Sequence, residues 1–188
     1  MAKWQVILSL LKGEGRPSDV EARVRKVTLL ILKVEDWPLW REVRLEALRE
    51  APYAFGSKLS DWQGMGDTEE RWRDRLASVP LNIIAQLDGK PAGMVSALNM
   101  DENRTVELIS MWVALFARGG GVGDALIQGV VAWAKEHHAT RVVLAVRNDN
   151  QPAITLYGRH GFIDSGPVPD LSKNAPLERL LIKRITSD

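Results

Sequence analysis

Cysteine is absent from the chain, which rules out disulfides, thiolate catalysis and cysteine-based metal sites. Histidine is nearly as scarce: there are three, His137 and His138 are adjacent, and no spacing resembles a zinc motif, so no metal is expected. The adjacent pair reads instead as a helix end, where positive charge suits the dipole. No apolar run approaches the roughly 18 residues that a membrane span needs, so no membrane partner is expected. An excess of one charge is missing as well. With 25 basic against 24 acidic residues and a net +1, nothing points to nucleic acid. The Arg and Lys between Arg16 and Lys33 are interrupted by acids and apolar residues and read as a solvated face. Repeats and low-complexity tracts are absent too.

What remains is the composition of an ordinary globule. A chain of 188 residues, 45% apolar and 26% charged, suits one domain with a sizeable core. Residues 1–25 stand apart as an extension ahead of a domain over residues 26–188. Trp4, Ile7, Leu8 and Leu11 fit helical spacing and give a short amphipathic piece. Gly13 to Val24, with Gly-Glu-Gly-Arg-Pro, reads as a linker. The apolar stretch is short for a signal peptide and nothing like A-x-A follows it, so a cytoplasmic location is expected.

The rest of the chain alternates strand-like and helix-like segments. Val27 to Val34 is rich in branched residues and predicts a strand. Asp36 is placed to cap a helix through Leu48, with Pro38 in its first turn. Ala51 to Gly66 reads as a loop with a helical fragment, and Thr68 as the cap of a helix over Glu69 to Ala77. Strands at Asn82 to Leu87 and Gly93 to Asn99 flank Asp88-Gly89, a strong hairpin turn. Further strands are expected at Val106 to Val113, Arg141 to Arg147, Phe162 to Ser165 and Arg179 to Ile185. Helices are expected from Asp124 to His137 and from Asn150 to His160. This order fits an α/β (α+β) fold, a mixed sheet with helices on both faces.

One segment carries the most information: Arg118-Gly119-Gly120-Gly121-Val122-Gly123-Asp124, between a strand-like and a helix-like run. Glycines let the backbone approach a ligand closely, and the first turn of the next helix offers free N–H groups to an anion. Arg118 adds a charge suited to phosphate. A P-loop is excluded because no Lys-Ser or Lys-Thr follows, and the G-x-G-x-x-G fingerprint fails in either register. Downstream, Asn150-Gln151-Pro152-Ala153-Ile154-Thr155-Leu156-Tyr157-Gly158-Arg159-His160-Gly161-Phe162 has a good N-cap, a first-turn proline and a stop glycine. Ala153, Leu156 and Tyr157 share one face of that helix.

The two blocks together resemble the GNAT superfamily of acyl-CoA N-acyltransferases. Arg118, Gly121 and Gly123 stand on its R-x-x-G-x-G pyrophosphate loop. The second block matches N-x-x-A-x-x-L-Y-x-x-x-G-F at every defined position. The resemblance spans roughly Lys26 to Ile185.

That resemblance implies a mostly antiparallel sheet in which the strand before the glycine loop splays from its neighbour to take the arm of acetyl-CoA. Met111, Trp112 and Val113 would line the thioester, and Val113 and Leu115 would offer main-chain hydrogen bonds. Leu115 replaces a proline common in the family. Arg118, Gly119, Gly120, Gly121, Val122, Gly123 and Asp124 would hold the pyrophosphate, with Asn150, Ala153 and Tyr157 completing the cofactor site. Tyr157 would be the general acid, since a phenol stays protonated at neutral pH. The N–H of Val113 is a candidate oxyanion donor. Glu107 is the candidate base. Alternation places it on one face with residues 109, 111 and 113, but a solvated strand end, an arginine partner or a water chain serving as base are equal alternatives.

For the acceptor, the resemblance points to the first two helices, their loop and the last hairpin. Tyr53, Phe55 and Trp112 are the candidate substrate residues, with Trp40, Trp62 and Trp72 nearby or in the core. Acceptor segments are not unusually acidic, although Glu42, Glu46, Glu50 and Asp61 lie there. The activity implied is acetyl transfer to a small primary amine, such as an antibiotic, toxin or polyamine. A protein or peptide acceptor and a non-catalytic acyl-CoA sensor are the alternatives. Family dimers and the apolar N-terminal face make a homodimer an expectation.

Overall fold

The structure, a computed structural model, describes residues 25–98, 102–168 and 177–185. The amphipathic piece and linker expected before residue 25 lie outside the described residues. Seven strands form one sheet in the order β1-β2-β3-β4-β5-β7-β6. They are β1 (Val27–Ile31), β2 (Leu81–Leu87), β3 (Lys90–Leu98), β4 (Thr105–Val113), β5 (Arg141–Arg147), β6 (Ile163–Pro167) and β7 (Glu178–Arg184). Every pair is antiparallel except β4 with β5. Among the described residues four α-helices accompany the sheet: α1 (Trp37–Glu50), α2 (Glu69–Ala77), α3 (Val122–Glu136) and α4 (Gln151–Arg159).

Local chemistry sets most boundaries. Asp88 and Gly89 both take positive φ, 53° and 83°, and turn β2 tightly into β3. Thr68 accepts the Arg71 N–H at the start of α2, and Asn150 accepts the Ala153 N–H at the start of α4. Asp36 departs from expectation. Its carboxylate accepts the Lys33 N–H at 2.8 Å and closes a single 3-10 turn over Val34–Asp36, so α1 begins without a side-chain cap. The loop after α1 contains three short 3-10 turns, Pro52–Ala54, Leu59–Trp62 and Gly64–Gly66.

The sheet has two covered faces. On one, α3 packs so tightly that a Cβ at Gly93 would come within 3.1 Å of Val122 and Leu126, and one at Gly129 would meet Ile83 and Leu29. On the other lie α1 and α2, where Arg75 reaches Asn82 and Ser96 on the neighbouring strands β2 and β3. Trp40, Val43, Ala47 and Leu48 of α1 and Trp72 and Leu76 of α2 are buried there. Removing this much apolar surface from water is the main drive for the helices to dock.

Two irregularities in β4 shape everything that follows. First, its pairing with β5 covers only Thr105–Arg141, Val106–Val142 and Glu107–Val143. Beyond Glu107 the two strands part, and backbone between Leu108 and Val113 is left without a β5 neighbour. Second, the pairing of β4 with β3 shifts between Met94 and Ser96, and Ser110 takes φ +55°. This is a bulge, an extra residue that reverses the alternation of side chains.

Candidate active site

The bulge decides which residues meet. Trp112 lies opposite Met94 and Ile109 opposite Ser96. Met94 and Ser96 are two apart on β3 and share a face, so Trp112, Ile109 and Glu107 all lie on the α1–α2 side. Met111 and Val113 lie on the α3 side, where the Met111 methyl group is 3.7 Å from the place a Cβ on Gly123 would take. Simple alternation put residues 107, 109, 111 and 113 together. The left-handed Ser110 separates 107 and 109 from 111 and 113. Glu107 is exposed.

Tyr157 enters the gap from α4. It is buried, and its hydroxyl donates to the Met111 Sδ at 3.4 Å. Its ring stands edge-on to Phe162 at 5.7 Å, which fixes the ring plane. Burial pushes the phenol pKa up, so the group is a proton donor throughout the neutral range. The hydroxyl therefore lies beside the part of β4 that has no β5 neighbour.

At the end of β4 the chain turns through Leu115–Ala117 into the glycine loop. Gly121 is the N-cap of α3 with φ +80°, a region closed to most side chains, and no side chain caps the first turn. The first-turn N–H groups of Val122 and Gly123 are therefore left without a side-chain acceptor at the positive end of a four-turn helix. A Cβ on Gly123 would come within 2.8 Å of Leu156, so this glycine also lets α4 approach α3. Arg118 sits at the mouth, its Nε donating to the Val113 carbonyl at 3.2 Å.

Asp124 does not face a ligand freely. Its Oδ1 accepts from His160 Nε2 at 2.8 Å and from Arg159 Nη2 at 2.9 Å. Burial raises its pKa, but these two hydrogen bonds outweigh that and hold it below the usual carboxylate range. The negative charge beside the loop is thus matched by α4. Leu115 also departs from expectation. It lies beyond the strand, and its N–H donates to Glu50 Oε1 at 3.1 Å, so a cofactor arm would find this donor already occupied. Asn150 spends its Oδ1 on the α4 cap, and Ala153 is half-buried one turn before Tyr157.

The three acceptor candidates stand in different surroundings. Tyr53 is 64% exposed in the loop after α1. Phe55 lies over the Arg44 guanidinium at 4.2 Å. Trp112 is buried under α1 and α2, with an indole N–H that meets no protein acceptor. Trp40 and Trp72 are core residues, and Trp62 packs on Trp72 at a centroid distance of 4.4 Å.

Three residues with a part in this region went unseen in the sequence, Arg44, Arg75 and Ser110, while Glu50, noted there only as an acidic residue of the acceptor segments, takes the Leu115 N–H. Arg44 had a signal, since it stands four residues from Trp40 and from Leu48 on the apolar stripe of α1. Burial pushes the pKa of both Arg44 and Arg75 down to about 10, with Arg75 adding repulsion at Arg44, and both stay cationic at neutral pH.

A splayed parallel strand pair, a buried tyrosine in the gap and an uncapped, glycine-led helix beside it define an acyl-CoA-type transferase fold. The family model for the acetyltransferase (GNAT) family matches residues 40–162, more than half of the chain, and the chain belongs to that family. A Danio rerio protein named N-acetylaspartate synthetase is 33% identical over 104 residues, which cover 53% of this chain and 37% of that protein. The chain thus spans little more than a third of that curated relative. An acetyltransferase of the GNAT family from Streptococcus pneumoniae is 21% identical with a TM-score of 0.66, over 85% of this chain and 100% of that one. The PaiA N-acetyltransferase of Thermoplasma acidophilum, solved in complex with coenzyme A, is 15% identical with a TM-score of 0.65, over 85% and 99%. These two likenesses establish the mixed seven-stranded fold.

Proposed function

We propose that this chain is an N-acetyltransferase that moves the acetyl group of acetyl-CoA to the primary amine of a small molecule. The observation that carries the reading is the Tyr157 hydroxyl, 3.4 Å from Met111 Sδ inside the gap between β4 and β5. The pyrophosphate binds the first-turn N–H groups of Val122 and Gly123 with Arg118 and the loop glycines Gly119, Gly120 and Gly121 around it. The pantetheine arm takes the place that β5 leaves along β4, which sets the thioester beside Met111 and Tyr157.

The chemistry is then a direct transfer. A neutral amine attacks the thioester carbon, a C–N bond forms, and the carbonyl electron pair moves onto oxygen near the Val113 N–H. The tetrahedral adduct collapses, the C–S bond breaks, and Tyr157 gives its proton to the departing sulfur. The nitrogen loses a proton to solvent, and Tyr157 regains one from solvent. Glu107 lies on the face from which the amine comes, so it can take the ammonium proton directly or through water. A small acceptor is supported by the name of the Danio rerio relative, N-acetylaspartate synthetase, whose product is a small N-acetylated molecule.

The test is thiol release from acetyl-CoA against aminoglycosides, nucleoside antibiotics, polyamines, amino acids and short peptides, with Tyr157→Phe as control. Turnover of a small amine that the variant loses supports the reading. Turnover confined to peptides, or acetyl-CoA binding with no turnover of any acceptor, overturns it.

A further inference from the structure

Two arginines lie on the α1–α2 side of the sheet with no carboxylate beside them. Arg44 is only 7% exposed, and its Nη1 is buried without a hydrogen-bond partner. Arg75 sits 5.3 Å from the Trp40 ring and donates to Asn82 Oδ1 at 3.2 Å and Ser96 Oγ at 3.3 Å, both neutral. Among the described residues neither guanidinium forms an ion pair. Each is close enough to the other for repulsion to register at Arg44. A buried charge is costly unless it is paired. The aromatic faces of Phe55 and Trp40 offset only part of that cost.

Carboxylates are not lacking in this part of the molecule. Arg41, one turn earlier on α1, is gripped by Asp67 through both Nε and Nη2. The inner pair, Arg44 and Arg75, has no such partner. The buried indole N–H groups of Trp40 and Trp112 also lack partners, and the buried acceptor without one, Glu50 Oε2, belongs to a carboxylate held at the Leu115 N–H by its other oxygen. What this cluster lacks is an anion.

Its position says when the anion arrives. Asn82 and Ser96 carry Arg75, Ser96 lies opposite Ile109 on β4, and Trp112 lies opposite Met94 on the same face. The cluster therefore stands one strand in from the splayed edge, on the face away from the α3 loop. A cofactor entering along α3 leaves this side to the second substrate. Phe55, from the loop after α1, covers Arg44 and would be exchanged for the ligand.

We propose that Arg44 and Arg75 bind a carboxylate on the acceptor, so the amine acetylated belongs to an amino acid or another small amino-carboxylic acid. This rests on the acetyltransferase reading above. Guanidinium groups suit the role because each offers parallel N–H donors to two carboxylate oxygens.

Calorimetry on the full-length protein with bound CoA would compare L-aspartate, L-glutamate and 4-aminobutyrate, each against the analogue whose carboxylates are carboxamides. At least one acid is expected to bind about tenfold or more tightly than its amide, and Arg44→Gln and Arg75→Gln to lose that preference with acetyl-CoA affinity unchanged. Arg44→Lys, which keeps the charge, should retain part of it. Circular dichroism melts report whether each variant folds. Equal binding of acid and amide, or a preference that survives both Gln variants, overturns the inference. Thiol release separates the two readings. Amides acetylated as readily as acids would keep the transferase and sink the carboxylate site, whereas acids that bind in an Arg44-dependent way without thiol release would keep the site and sink the transferase.

Discussion

The hydroxyl of Tyr157 on α4 lies 3.4 Å from the thioether of Met111 on β4, across the gap where β4 leaves β5. Sulfur is a weak acceptor, so this contact holds the phenol in place without consuming its capacity to donate. A thioester sulfur seated near Met111 would meet a proton donor already aimed at it.

Tyr157→Phe should accordingly lower kcat by about 10²- to 10⁴-fold, the usual scale for a lost general acid. Acetyl-CoA affinity by calorimetry should stay the same, because the ring and its contact with Phe162 remain. A variant with wild-type turnover would remove the hydroxyl from the chemistry.

The pH profile should carry the same signature. Burial raises the Tyr157 pKa, so the phenol does not ionise in the working range and creates no alkaline decline. We expect kcat/KM to rise as the acceptor amine deprotonates and to show no fall attributable to a tyrosine below about pH 10. An alkaline limb present in the wild type and absent from Tyr157→Phe would contradict this.

Gly121 holds φ +80° with open space around its Cα. A Cβ there meets nothing within 4 Å, so the cost of substitution is conformational. Gly121→Val should strain the loop by about 1–3 kcal/mol and weaken acetyl-CoA binding, while Gly121→Asn, tolerated in the left-handed region, should lose less. Calorimetry that finds equal affinity in all three proteins would dissociate the loop from the cofactor.

The β4 bulge is equally open to test. Ser110→Gly should keep the φ of +55° at no steric cost and preserve binding. Ser110→Val should press the strand toward regular alternation, which would swap the faces of Met111 and Trp112. Loss of acetyl-CoA binding in the Val variant alone, with a lowered melting temperature, is the expected result.

Asp67 ties α1 to α2 by accepting from Arg41 and from the buried indole N–H of Trp72, at 2.8 Å for the latter. The Arg41 hydrogen bond first, and the Trp72 bond second, pull its pKa from 3.8 down to about 2. A depressed pKa gives stability that is full above the unfolded value and lost as pH falls through the folded one. Asp67→Ala should cost about 1–3 kcal/mol at neutral pH because Trp72 is left unsatisfied. The gap between the two proteins in urea unfolding should narrow as pH falls from about 4 to about 2.

Short-range features were readable from neighbouring residues alone. The Asp88-Gly89 turn, the Thr68 and Asn150 caps, and the left-handed Gly121 and Gly161 each depend on a few adjacent positions. Asp36 shows the limit of such reading. Its carboxylate had two nearby N–H groups to choose from, and it closed the earlier turn at Lys33.

The sequence by itself therefore determined the order of elements, the glycine-led helix start and the tyrosine helix, since propensity, capping and turn chemistry act within a turn or two of the chain. Only the tertiary structure decided that Ser110 would bulge, because a register shift belongs to the pairing of β4 with β3 and not to β4 alone. It likewise decided that Glu50 would meet Leu115, 65 residues away, and that a buried Arg44 and a half-buried Arg75 would share one face of the sheet without an ion pair. Distance along the chain carries no record of which charges end up neighbours; packing two helices against one sheet face does.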